Sequence, residues 1–307
     1  MSNRPIAFFD SGLGGVPYYE WAARELPAER FVYLADTRHF PYGEKTPELV
    51  REIVIEQIGN LIQATDPKVV VIACNTASVI ALEALRAHFT VPILGTVPAI
   101  KPAALITRNR KIAVFATERT VKDQYTEQLV RDFAADCVVE RVAASQLVGF
   151  VERRLFAASP DERSEVVARA VEPLKAAGVD TVVLGCTHFV YLADDISRAL
   201  GENVRVLDSR EGVGRQLIRT LQTRGLVNSA DLAPRAVHED RSRCCFYVSG
   251  FDMVDGDGER TLVSGRSMSP DEYRAFVGFF ALDYCGELRS NSSTSATGTS
   301  QREAETA

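Results

Sequence analysis

The chain has 307 residues, 46% of them hydrophobic and 25% charged, a globular composition that excludes disorder or a fibrous repeat as a description of the whole. At roughly 100 to 200 residues per domain, this length predicts two domains, each with its own core. The 35 basic and 41 acidic residues give a net charge of -6 and a pI of 5.4, so no global positive field exists to hold a polyphosphate and nucleic acid is not an expected partner.

The opening Met1-Ser2-Asn3-Arg4-Pro5 runs straight into an apolar strand without a signal-like region, and no apolar run reaches the ~20 residues that cross a bilayer. A cytoplasmic protein with no membrane partner is expected. Six cysteines, Cys74, Cys137, Cys186, Cys244, Cys245 and Cys285, show neither framework spacing nor a C-x-x-C pair. A reducing cytoplasm is expected to keep them all as thiols.

Short apolar runs recur in chain order at Ile6–Phe9, Phe31–Leu34, Val69–Ile72, Val91–Leu94, Ile112–Phe115, Val138–Val139, Thr181–Leu184 and Val204–Leu207. Amphipathic stretches lie between them, and this alternation is the pattern of βα units around parallel sheets buried on both faces. Thr76–Phe89 and Thr120–Ala135 carry apolar residues at helical spacing and read as surface helices. Glu211–Arg224 reads as a further helix, Gly225–Ser242 as irregular, Arg243–Phe251 as a strand and Pro270–Tyr284 as a last helix. Asp252–Ser267 looks like an insertion, and residues 289–307, poor in large apolar side chains, are expected to be a disordered tail.

One internal repeat stands out. Lys68-Val-Val-Val-Ile-Ala-Cys74-Asn75-Thr76 matches Asp180-Thr-Val-Val-Leu-Gly-Cys186-Thr187-His188, with the cysteines 112 residues apart. The simplest reading is two similar α/β domains, each presenting one cysteine. In open α/β sheets ligands bind beyond the carboxyl ends of the strands. Those ends deliver Asp10-Ser11 with Gly12-Leu13-Gly14-Gly15, then Asp36 and Pro41-Tyr42-Gly43, Cys74-Asn75-Thr76, Thr96, Thr117, Cys186-Thr187-His188 and Asp208-Ser209. The glycine turn reads as a set of amides that approach an anion, or alternatively as a tight strand-to-helix connection.

A cysteine between a strand and a helix start faces free amides and the positive end of the helix dipole, which favour thiolate. Cys137, Cys244, Cys245 and Cys285 lack that setting and read as structural. Two opposed thiols could form a disulfide switch, hold zinc with further ligands, or move protons at the two faces of a carbon stereocentre. Of the four histidines only His188 stands beside a paired cysteine, so no metal site is expected. Lys68 and Lys111 start their strands, the wrong end for a pyridoxal Schiff base.

Together Asp10-Ser11-Gly12-Leu13-Gly14-Gly15, Asp36-Thr37 with Pro41-Tyr42-Gly43, Ala73-Cys74-Asn75-Thr76-Ala77-Ser78 and Leu184-Gly185-Cys186-Thr187-His188 resemble the glutamate racemases of the cofactor-independent aspartate/glutamate racemase superfamily. The resemblance runs from about Ile6 to Ser209, and Val97-Pro98-Ala99-Ile100-Lys101-Pro102-Ala103 resembles the Gram-negative branch. It implies that Cys74 and Cys186 are the two acid/base catalysts, the first acting on D-glutamate and the second on L-glutamate. Asp10 then assists the first cysteine, and His188 and Glu152 the second; as a sequence feature, Glu152 reads equally as a solvated helix charge. The implied substrate contacts are Ser11, Pro41, Tyr42, Gly43 through its amide, Asn75, Thr76, Thr117 and Thr187.

The resemblance further implies that no cofactor is needed, that D-glutamate serves peptidoglycan synthesis, and that a precursor such as UDP-N-acetylmuramoyl-L-alanine acts as effector; a homodimer fits the same reading. Val190 stands where the family usually has proline and Arg119 where it commonly has glycine. The expected architecture is α/β, with two pseudo-symmetric parallel-sheet domains and the site between them. One comprises residues 1–97 plus 208–288, the other 98–207. Aspartate racemase is the nearest rival, followed by a non-catalytic binding protein on the same fold and a redox or metal protein.

Overall fold

The computed structural model describes residues 4–228, 244–250, 253–256, 259–262, 268–280 and 282–288; the tail expected over 289–307 and most of Gly225–Ser242 lie outside them. The chain begins β1 (Ile6–Asp10), α1 (Val16–Glu25), β2 (Phe31–Ala35), α2 (Pro47–Thr65), β3 (Val69–Ile72), α3 (Asn75–His88) and β4 (Ile93–Gly95). It continues with α4 (Ile100–Ile106), β5 (Lys111–Ala116), α5 (Glu118–Lys122), α6 (Gln124–Phe133), β6 (Val138–Ala143), α7 (Gln146–Arg153), α8 (Pro160–Ala177), β7 (Thr181–Leu184), α9 (Ala193–Leu200), β8 (Arg205–Leu207) and α10 (Arg210–Thr223). The last elements are β9 (Cys244–Val248), the antiparallel hairpin β10 (Met253–Gly256) and β11 (Glu259–Leu262), then α11 (Pro270–Phe279) and β12 (Asp283–Glu287).

Two parallel sheets result, as the apolar runs predict. The first has the order β12-β9-β2-β1-β3-β4 and the second β6-β5-β7-β8. Their central strands are apolar on both faces because both faces are covered, whereas the edge strands β6, β8 and β12 are partly exposed. In β1, Ile6 and Phe8 enter one core with α1, α10 and α11, while Ala7 and Phe9 enter another with α2 and α3. In β5, Ala113 and Phe115 face one layer and Ile112 and Val114 the other. Each large side chain buried in this way contributes roughly 1.5–3 kcal/mol, so these strands are the most firmly held parts of the fold.

The topology positions the site. In the first sheet the chain pairs β1 with β2 on one side and with β3 on the other. In the second it does the same with β5, β6 and β7. Each reversal opens a crevice at the strand ends, and the residues that follow these strands are Ser11 with Cys74 and Thr117 with Cys186.

Several expectations are corrected. The helix expected over Thr120–Ala135 is two helices, because Asp123 is extended and caps the second through Tyr125 N. The helix from Thr76 is no surface helix: eight of its residues are buried. The last helix stops at Phe279, so Cys285 lies in a strand. There β12 pairs in parallel with β9, and a register shift at Cys285 sets it beside Cys245, Cα to Cα 5.6 Å, in a disulfide. Those two cysteines are therefore not thiols; Cys74, Cys137, Cys186 and Cys244 are.

Candidate active site

Between the ends of the two sheets lies a cavity of about 860 Å³. Of the expected residues, Ser11, Pro41, Tyr42, Gly43, Cys74, Asn75, Thr76, Thr117, Cys186, Thr187 and His188 line it. Asp10 and Glu152 stand behind that wall, fully buried. Thr96 and Ser209 are not part of the lining: the Thr96 hydroxyl is buried without a hydrogen-bond partner, and the Ser209 hydroxyl pairs with the Tyr18 hydroxyl.

Cys74 caps α3, and Cys186 caps the 3-10 turn Thr187–Leu192. Their relative exposures are 5% and 6%, so each sulfur meets solvent only through the cavity. At Cys74 burial and the Asp10 charge push the thiol far above its ordinary range, outweighing the Ala77 and Ser11 amides directed at the sulfur. Cys74 therefore rests as a thiol, with Sγ 3.8 Å from Ser11 Oγ. Desolvation at Cys74 thus outweighs the helix-terminus amides that would favour thiolate.

On the other side His188 is buried at 2% exposure. Burial alone lowers its pKa, but hydrogen bonds to Cys186 and Glu152 and the Asp10 charge more than compensate and hold it well above the usual imidazole range. An imidazolium therefore stands beside Cys186. Its Nε2 lies 3.0 Å from Glu152 Oε2, which also accepts Leu13 N at 3.1 Å, while Glu152 Oε1 accepts the Tyr273 hydroxyl at 2.6 Å. Glu152 is thus no solvated helix charge.

Asp10 accepts Gly12 N at 2.7 Å and Thr187 Oγ1 at 3.1 Å. Burial raises its pKa to about 6 against the pull of His188 and the Gly12 amide. The anions met by the glycine turn are therefore the protein's own Asp10 and Glu152 carboxylates. Close approach also explains the glycines: a Cβ on Gly12 would lie 2.7 Å from Glu152 Oε1, and one on Gly14 2.4 Å from His188 Nδ1 and Thr187 Oγ1.

Around the cavity, Thr76, Thr117 and Thr120 hydroxyls form a triangle with 3.0 to 3.3 Å sides that joins the two sheets. Tyr42 donates its hydroxyl to Asp36 at 2.5 Å, so the part it offers a ligand is ring and backbone. Asn75 is different: both amide atoms are buried without a hydrogen-bond partner beside Cys74. Unsatisfied polar atoms of this kind are costly unless a ligand or water completes them. Among the described residues no group of three or more His, Cys, Asp or Glu side chains has metal-binding geometry, and no helix is long and apolar enough to cross a membrane.

The model of the Asp/Glu/Hydantoin racemase family matches residues 18–211. The chain belongs to this family. It is 41% identical over 223 residues to the glutamate racemase of Shewanella denitrificans, covering 72% of this chain and 79% of that one. To the glutamate racemase of Shewanella woodyi it is 40% identical over 228 residues, 73% of this chain and 84% of the relative. Among solved structures it resembles Escherichia coli glutamate racemase in complex with L-glutamate and the activator UDP-MurNAc-Ala, with a TM-score of 0.74, 30% identity and coverage of 93% and 98%. The Thermus thermophilus glutamate racemase gives 0.70 and 28%, with coverage of 94% and 98%. The protein is accordingly an amino-acid racemase, an isomerase, with the two-sheet fold of these enzymes.

Both departures from the family pattern have a structural setting. Val190 is buried in the core of the first sheet although it follows β7 of the second. Arg119 lines the cavity and donates from Nη2 to Lys45 O at 3.0 Å, with its Nε buried and without an acceptor. Tyr273 and Tyr33 belong to the site although no motif contains them. Tyr33 donates to Gly12 O at 3.0 Å and accepts Gly15 N at 3.1 Å, holding the glycine turn from below. Glu152 carried a signal: it shares the buried face of α7 with Leu147, Val148 and Val151, where a charge is out of place.

Proposed function

We propose that this racemase interconverts L- and D-glutamate by two-base proton transfer between Cys74 and Cys186, without a cofactor. The observation that carries the reading is that the two cysteines, each at the carboxyl end of a strand in a different sheet, line one cavity beside the unpartnered Asn75 amide.

In the L-to-D direction Cys186, as thiolate, takes the α-proton. The electron pair left on Cα is delocalised into the substrate's own carboxylate, and Cys74 delivers its thiol proton to the opposite face. Cys186 ends as thiol and Cys74 as thiolate; the D-to-L direction runs the same transfers backwards. The neutral resting Cys74 fits the donor role, and the imidazolium of His188, held by Glu152, compensates charge on Cys186. Asn75, Ser11, Thr76, Thr117, Thr187, the Gly43 amide and the Pro41-Tyr42 wall receive the substrate. A nearly closed site strengthens each of these contacts, because water no longer competes for them.

The biological setting proposed is supply of D-glutamate for peptidoglycan in the cytoplasm, with a muramoyl precursor as effector and a homodimer as the assembly. The proposed domain boundaries are 1–97 plus 208–288 and 98–207.

Circular dichroism of D-glutamate in D2O, with enzyme and no added cofactor, tests the reaction. The expected result is decay of the optical signal with α-deuterium incorporation, and a loss of about 10²- to 10⁴-fold in Cys74→Ser and in Cys186→Ser. Full racemisation by either variant overturns the two-thiol mechanism, and activity on aspartate in place of glutamate overturns the substrate.

A further inference from the structure

We infer that Tyr273 is a positioning residue of the Cys186 half-site: its hydroxyl fixes the Glu152 carboxylate that holds His188. The inference rests on the two-thiol reading above and deepens it, because Tyr273 lies in α11, outside the residues 18–211 matched by the family model.

The local sequence sets the side chain in place. Ser269 caps α11 in a reciprocal box with Glu272, with Pro270 at the first helical position. That box fixes the first turn, and Met268 and Tyr273 occupy the N′ and N4 positions of a hydrophobic staple, both buried in the core of the first sheet. The Tyr273 ring is 0% exposed and stacks on Phe246, centroid to centroid 6.3 Å, which stacks on Tyr33 at 5.0 Å. Tyr33 in turn holds the backbone of Gly12 and Gly15. One aromatic column thus connects α11 to the glycine turn, and both of its ends bear on Glu152: Tyr273 donates to Oε1 and Leu13 N to Oε2.

The chemistry follows from what Glu152 faces. His188 comes from the turn after β7, Tyr273 from α11, Tyr33 from β2, Tyr191 from the turn and Asp10 from β1, the last a second carboxylate in the same buried space. A buried carboxylate next to another carboxylate is held in place by donors on its oxygens. Tyr273 is the donor on the oxygen that His188 does not use. Without that hydroxyl the Glu152 carboxylate loses one of the three hydrogen bonds that fix its plane, and Oε2 turns away from His188 Nε2. His188 then gives up its proton at lower pH, and Cys186 loses the cation beside it. Tyr273 touches no reacting atom, so it acts only through Glu152 and His188.

Tyr273→Phe in the full chain keeps the ring column and removes the hydroxyl. The expected result is a kcat about 10- to 100-fold lower, the worth of one hydrogen bond to a buried charge, with KM within about twofold, and a His188 titration midpoint moved down in ¹⁵N-histidine NMR spectra. In a Glu152→Gln background the same substitution is expected to have no further effect, since its route is already cut. An unchanged kcat and His188 midpoint, or full additivity with Glu152→Gln, overturns the inference, as does a loss confined to thermal stability. Should Tyr273→Phe fail to fold, ¹³Cζ-tyrosine spectra of Glu152→Gln read the same bond: a displaced Tyr273 signal is expected, and an undisplaced one overturns it. Wild-type racemisation and its loss in Cys186→Ser, measured alongside, report on the two-thiol reading separately.

Discussion

Thr187 Oγ1 donates to Asp10 Oδ2 at 3.1 Å, joining the residue after Cys186 in the second sheet to the end of β1 in the first. The same carboxylate raises the pKa of Cys74 and supports the charge of His188. One buried Asp10 therefore acts in opposite senses on the two halves of the site. It keeps Cys74 protonated and His188 charged, the asymmetry that a proton donor facing a proton acceptor requires.

That arrangement has a cost visible in stability. Asp10 titrates near 6 in the fold against 3.8 for an ordinary aspartate, so between about pH 4 and 6 the folded state binds more protons than the unfolded one, and stability falls as pH rises through this window. Asp10→Asn removes the ionisation while its amide oxygen still accepts the Gly12 N–H. The variant is expected to match wild type near pH 4 and to exceed it by on the order of 2–3 kcal/mol at pH 8, since each tenfold change in proton affinity is worth about 1.4 kcal/mol, while losing racemase activity. Urea unfolding at both pH values measures the difference; equal differences at the two would sink this account of Asp10.

Gly14 is constrained by approach and not by its backbone angles. The nearest atoms to an added methyl are His188 Nδ1 and Thr187 Oγ1, both 2.4 Å away. Neither can retreat far, since His188 is held by Glu152 and Thr187 by Asp10. Gly14→Ala is expected to lower kcat by at least about 100-fold, because a 1 Å displacement of a catalytic group is enough for that. Overpacking should cost about 1–3 kcal/mol of stability. Gly178→Ala, which meets nothing within 4 Å but sits at φ 64°, is the control: it should lose some stability and keep its rate. If the two variants behave alike in kcat, the packing account of Gly14 fails.

The cysteines, their strands and the part of the cavity lining that follows those strands are legible because they are local: each is a run of apolar residues followed by a short polar segment, and the repeat sets the two halves side by side, whereas the lining from α5 and α7, such as Lys122, Gln146 and Arg153, carries no such mark. Glu152, Tyr33 and Tyr273 were harder to see, since each acts through a partner far away in sequence. Tyr273 bonds a carboxylate 121 residues distant, and Leu13 reaches the same group across 139. The Cys245–Cys285 disulfide belongs to this class too, because it depends on β9 and β12 becoming neighbours and on the register shift between them. At Cys74 the missing quantity was burial, which only the assembled cleft supplies.

Arg119 gives the last prediction. Its guanidinium belongs to α5 beside the second sheet, yet it is tied to the carbonyl of Lys45, in the segment between β2 and α2 of the first. Arg119 lines the cavity, and its buried Nε has no acceptor of its own. An arriving dicarboxylate is an acceptor of the right charge and shape for that nitrogen. Arg119→Gly, which installs the residue common in the resembled family, and Arg119→Met, which keeps the stem, should both raise KM for glutamate. The size expected for one lost charge-assisted hydrogen bond is about 10-fold, with kcat changing by less because no reacting atom is touched. Initial rates in both directions decide the matter. An unchanged KM in the methionine variant would mean that Arg119 serves only to brace the loop at Lys45, and a fall in kcat alone would place it closer to the chemistry than its distance from the cysteine motifs suggests.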